Sequence, residues 1–172
     1  MPHDDPPRLR VLKALTELLK GISTVNGYQT SVFGQVFRGR NRFGSTDPLP
    51  MISILEAPIP LDQLPPPRDA REAFGPWELV VQGFVNDDKE NPTDPAHVFL
   101  ADVKRCLARE AVKSNAHRDE DGIFGLGDIV DRMYIGPGVV RPPDEVSEKA
   151  YFWLSLRLDI AEDVDDPYGD QV

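Results

Sequence analysis

The sequence predicts an α+β domain, a mostly antiparallel four- to five-stranded sheet with two helices packed on one face. Three observations predict it. Residues 150–160 alternate strictly, with Ala150, Phe152, Leu154, Leu156, Leu158 and Ile160 against Tyr151, Trp153, Ser155, Arg157 and Asp159, the period of a half-buried strand. Two other segments carry apolar residues at helical spacing. The segment 77–86, WELVVQGFVN, is apolar on both faces and so reads as a central strand.

Taken in order, residues 6–22 form the first helix. Leu12, Leu15, Leu19 and Ile22 recur at i, i+3, i+7 and i+10, with Val11, Ala14 and Leu18 widening the stripe. Pro6 and Pro7 suit its start and Gly21 its end. Asn26-Gly27 signals a turn, after which Tyr28 to Phe37 reads as a strand. Arg38 to Pro50 is polar, with Gly39, Gly44 and Asp47-Pro48, and reads as a long hairpin loop or arm. Met51 to Ala57 is a short strand. Residues 58–76 hold six prolines; Pro65, Pro66 and Pro67 must be extended, and Asp69 is placed to cap a helical turn over Ala70 to Phe74.

Asp94-Pro95 reads as an N-cap followed by proline, opening a helix to about Lys113 whose face is Ala96, Phe99, Leu100, Val103 and Leu107. Residues 114–128 are polar and glycine-bearing, Ile129 to Ile135 reads as a strand, and Gly136-Pro137-Gly138 as its end. Residues 1–5 and 162–172 are expected to be mobile tails of a single domain spanning 1–172, with 38–50, 58–76 and 114–128 as its long connections.

The bulk numbers agree with one domain. At 172 residues and 40% hydrophobic content the chain buries roughly 70% of its unfolded surface without a metal or disulfide. Its 17 prolines are about twice the usual ~5% share, in keeping with long irregular connections. Cys106 is the only cysteine, which excludes an intrachain disulfide and fits a reducing cytoplasm. The acidic N-terminus is the opposite of a secretory signal, and no apolar run approaches the ~18 residues of a membrane span. With 29 acidic and 19 basic residues the net charge is −10, a field that repels nucleic acid.

The order of elements resembles that of the tail terminator (tail-completion) proteins of long-tailed bacteriophages. The stretches that carry the resemblance are RLRVLKALTELLKGI, the strand after GYQT, LPMISILEA, WELVVQGFVN followed by DPAHVFLADVKRCL, and AYFWLSLRLDIAED. They cover most of the chain except roughly 58–76 and 114–148, and the proline-rich stretch before Trp77 is a departure from the family pattern. The resemblance implies a non-enzymatic subunit of a homohexameric ring that caps the tail tube, ends its polymerisation and joins it to the head-side connector. Its partners would be further copies of itself, the tail tube protein and the connector protein. It would sit in the tail or neck of a virion assembled in the host cytoplasm, with no membrane contact. DNA would pass through a lumen of like charge without specific binding. A sheath terminator or another neck-ring protein shares much of the same pattern.

The alternative is a small ferredoxin-like enzyme or ligand-binding protein, which needs convergent polar groups in a pocket. Of the histidines, His3 falls in the terminus, His97 in the first turn of a helix and His117 in a charged loop, with no short spacing to a metal or general-base partner. Cys106 reads as a small buried hydrophobe on its helix. Gly122, Gly125 and Gly127 lack the Lys-Ser/Thr of a phosphate loop, and Asp119, Asp121 and Gly122 lack the spacing and final Glu of a calcium loop. Asp87, Asp88, Glu90 and Asp94 crowd one loop, yet two of them serve as turn and cap residues. The sequence therefore assigns no catalytic, cofactor or metal residue.

Two segments are candidate interfaces. Arg38, Arg40 and Arg42 would point the same way if extended, a positive stripe that is either a solvated loop or a docking site for an acidic neighbour or the tail tube. Ile59, Leu61, Leu64 and Phe74 need cover, from their own sheet or from the next subunit.

Overall fold

Helix α1 runs Pro7–Lys20, with Pro7 at its first position and the chain leaving at Gly21. The proline ring fits there because the first helical N–H has no intrahelical acceptor to lose. In this computed structural model residues 5–58, 72–113 and 121–168 are described. Strand β1 is Val36–Arg38, β2 Met51–Glu56 and β3 Glu72–Val85, followed by helix α2, Asp94–Ala111. Strand β4 is Val130–Arg141 and β5 is Ala150–Asp163.

The five strands lie in the order β1-β2-β3-β5-β4, and all pairings are antiparallel except β1 with β2. The fold is therefore α+β, and β3 is its middle strand. The ferredoxin-like arrangement of the alternative reading runs β-α-β-β-α-β, whereas here the order is α-β-β-β-α-β-β.

One face of the sheet carries both helices. Phe152, Leu154, Leu156 and Leu158 of β5 are fully buried there with Trp77, Leu79 and Val81 of β3, against Val11, Leu15 and Leu19 of α1 and Phe99, Val103 and Leu107 of α2. The alternation of residues 150–160 thus has the sense its pattern predicts. A smaller cluster of Met51, Phe84 and Tyr151 lies on the opposite face at one end of the sheet.

Several elements differ from the sequence reading. The strand expected over Tyr28–Phe37 is confined to Val36–Arg38 and pairs parallel to β2, so 38–50 is a crossover and not a hairpin. Parallel pairing is a long-range contact with no local signature. Asp94 is the first helical residue of α2; the cap position is Thr93, and its side chain makes no capping bond. Glu72 to Phe74 are strand and not a helical turn. Pro76 is tolerated inside β3 because β2 has already ended: its partner there is Asp159 of β5 alone, while β2 pairs only from Leu79 onward.

Strand β4 does not stop at Gly136. A register shift between Ile135 and Gly138 lets the strand pass through Gly136-Pro137-Gly138 and continue to Arg141. Nor is the chain after Asp121 a loose connection. Ile123 is fully buried, and the Phe124 N–H donates to Glu110 Oε1 at 2.6 Å. Glu162 and Asp163 are the end of β5, and Arg8 Nε meets Glu162 at 3.0 Å. Asp5 is also held, by Lys13.

Candidate functional site

The three arginines do not share one direction. Strand β1 ends at Arg38, and Gly39 follows with φ +66, a conformation that breaks an extended run. Arg38 Nη1 donates to Thr16 Oγ1 of α1 at 3.1 Å. Arg40 folds back on its own loop: Nη2 lies 2.6 Å from Asp47 Oδ1, and the guanidinium stacks over Phe37 and Phe43. Arg42 is exposed, and its guanidinium has no partner among the described residues. Of the apolar interface candidates, Phe74 stands half-exposed on β3, while Ile59, Leu61 and Leu64 lie outside the described residues, as do His3, His117, Asp69 and Asp119.

Arg42 lines a cleft of about 590 Å³ between the 39–50 crossover and the 142–149 loop. Its apolar floor is Met51 and Phe84, and its far wall carries Asp144, Glu145, Glu148 and Lys149. Asp144 organises that wall. It accepts from the Val146 N–H at 2.9 Å and from the Tyr151 hydroxyl at 2.9 Å, and Arg141 Nη2 lies 3.4 Å away. The Val146 N–H, foremost among these, holds its carboxyl below the usual range. A depressed folded-state pKa adds stability above the unfolded value, and that is lost as pH falls through the folded value. The loop is thus expected to loosen under acid below the ordinary aspartate range, read as faster exchange of the Val146 amide, with Asp144→Asn showing the loosening at neutral pH.

The second face of the sheet is uncovered by helices and holds a groove of about 490 Å³. Leu55 of β2, Val80 of β3, Val139 of β4 and Trp153 of β5 line it, the last two 49% and 38% exposed. They meet because cross-strand register places them side by side: Leu55 opposite Val80, and Val139 opposite Trp153. Glu56 lies at the groove wall, and Glu78 shares the strand face of Val80.

On the helix side, the connection from α1 to β1 is a built loop. Residues 21–37 contain no charged side chain, the longest such run in the chain. Asp102 of α2, buried, takes the N–H groups of Gln29 and Thr30 at 3.0 and 2.7 Å. Arg105 Nη1 donates to the Gly27 carbonyl at 2.8 Å, and Arg105 and Arg109 both stack on Tyr28. Ser31 Oγ accepts from the Thr24 N–H at 2.9 Å, tying the two arms together. From this frame Val25 and Phe33 project, 93% and 78% exposed, with Phe33 at φ +48 followed by Gly34 at φ +77. The uncharged run marks this loop in the sequence; the strand reading of Tyr28–Phe37 concealed it.

The residues weighed for chemistry are dispersed. His97 is exposed on the first turn of α2. Cys106 is buried, its Sγ 3.7 Å from the Leu18 carbonyl, and burial pushes the thiol up. Asp88 closes a turn, accepting from the Asn91 and Glu90 N–H groups, which hold its carboxyl below the usual range. The three glycines serve a compact turn: Gly122 has φ +68, and a Cβ there would lie 2.4 Å from the Gly127 carbonyl oxygen. Among the described residues no group of three or more His, Cys, Asp or Glu is placed to hold a metal ion, and no helix is long and apolar enough to cross a membrane.

No family model matches the chain, and no curated protein matches it.

Proposed function

We propose that the protein is a structural ring subunit that caps a bacteriophage tail tube, ends its polymerisation and joins the tail to the head-side connector. The observation that carries the reading is a one-sided sandwich with apolar surface left over on both outer sides: Val139 and Trp153 on the bare sheet face, Val25 and Phe33 beyond the helices. Surfaces of this kind mark interaction sites, and a subunit that touches two neighbours needs two of them. The order of elements adds the tail terminator resemblance. The net charge of −10 suits a lumen through which DNA slides without being held.

The cleft of about 590 Å³ beside Arg42 favours a second reading, a ligand-binding protein, since its volume falls within the range of small-molecule pockets. Negative-stain imaging of the purified protein, alone and with tail tubes, separates the two. Rings in solution or on tube ends support the first reading; monomers that leave tube ends bare overturn it.

The arginine segment gives a sharper check. Changing Arg38, Arg40 and Arg42 together to Glu is expected to abolish ring formation or capping, although Arg40→Glu also sets two acidic groups side by side at Asp47. Arg42→Glu alone is the cleaner variant, because its exposed guanidinium has no partner among the described residues. We expect its melting to stay within about 0.5 kcal/mol of the parent while capping of tubes is lost. Normal-length tails from a phage carrying it would leave this segment a solvated loop.

A further inference from the structure

We propose that copies of this chain associate head to tail, the Val25 and Phe33 prominence of one copy seated in the apolar sheet-face groove of the next. The inference rests on the ring reading above and names the two surfaces that close the ring.

The loop and the groove lie on opposite sides of the sheet. Gln29 and Thr30 are anchored on α2 through Asp102, and Val32 is buried in the helix-side core, while Leu55, Val80, Val139 and Trp153 face away from both helices. One copy cannot bring its own loop into its own groove. A contact between two different patches is heterologous, and repeated it closes a ring or extends a filament.

Phe33 marks the loop as built for contact. A non-glycine residue in the left-handed region is strained, because its Cβ crowds the following carbonyl oxygen. Here the strained residue shows most of its ring to solvent, so burial of that ring does little to offset the strain. Strain held in place by a surrounding hydrogen-bond frame is characteristic of functional segments. The same frame, with Asp102, Arg105 and Ser31 pinning the loop, means little ordering entropy is lost on docking.

Charge selects the same two surfaces. Copies of net charge −10 repel one another, least where charge is absent. The loop belongs to the uncharged run 21–37, and the groove side chains belong to the uncharged runs 48–55, 79–86, 133–140 and 150–156. The charges that flank them are opposite. Arg105 and Arg109 lie beside the loop with no carboxylate partner among the described residues, and Glu56 lines the groove, while Glu78 farther along is matched by Arg157 directly across the ladder.

The test uses Phe33→Asp, which spoils the loop and leaves the groove, and Val139→Asp, which does the reverse. Native mass spectrometry and light scattering read the assembly, and circular dichroism melting reads the fold. We expect rings from the parent, folded monomers from each variant, and a one-to-one dimer when the two variants are mixed, since only one intact contact remains per pair. If Val139→Asp melts early, Val139→Lys serves in its place. Folded variants that still form rings overturn the proposed contact and leave the ring reading standing. Folded monomeric variants that stay monomeric when mixed overturn the head-to-tail pairing. A parent protein that is monomeric both alone and with tail tubes overturns the ring reading and this inference together.

Discussion

Replacing Phe152 with Ala is expected to cost about 3–5 kcal/mol of folding stability, measured by denaturant unfolding. The side chain is fully buried near the start of β5, with its ring edge-on to Phe99 of α2 at 5.3 Å between centroids. Truncation removes that contact and leaves a cavity that sheet and helix cannot both collapse to fill. Its neighbour across the ladder is Gly83, and a Cβ on Gly83 would lie 2.1 Å from the Phe152 ring. Gly83→Ala alone should therefore cost about 1–3 kcal/mol by overpacking. The two effects share one space, so the double variant should be markedly more stable than the sum of the single losses requires. Strict additivity would show that the ring does not lie over Gly83.

Asp102→Ala is expected to cost about 3 kcal/mol and to free the loop between α1 and β1. The carboxylate is buried and accepts two backbone N–H groups, from Gln29 and Thr30, so its loss strips both donors of a charged partner worth roughly 1.5–3 kcal/mol each before relaxation. Amide exchange at Gln29 and Thr30 should accelerate far more than at Leu79, in the middle of the sheet. Asp102→Asn retains an acceptor oxygen and should recover part of the loss. Equal protection of Gln29 and Thr30 in the Ala variant and the parent would mean that the anchor lies elsewhere.

The elements whose burial is periodic and local were legible in the sequence. The stripes of α1 and α2 and the alternation of β5 report their faces directly, and β3 shows its central place through apolar side chains on both sides. The elements that depend on distant partners were not. Only three residues of the segment 28–38 find a strand partner, and that partner, β2, is parallel. The Gly-Pro-Gly of β4 is a stop signal locally, yet a bulge on an outer strand accommodates it. Pro76 and Glu72 join β3 because β5 is long enough to reach them. The candidate surfaces followed the same rule. Alternating arginines suggest one stripe only while the backbone is extended, and Gly39 ends that. The exposed loop had a sequence signal in its missing charges, but its geometry depends on Asp102, more than 70 residues away.

The register shift at Pro137 has a consequence for the protein in bulk. The sheet ends in β4 on one side and in β1 on the other. An open strand edge is a template on which further chains can add without limit, the route to fibrous aggregates. Here one edge is interrupted by a bulge and by a residue with no amide hydrogen, and the other is only three residues long. Neither offers an unbroken row of hydrogen-bonding groups. The chain can thus reach high local concentration with strand addition blocked at both borders, and copies that meet are left to touch through side chains on their faces.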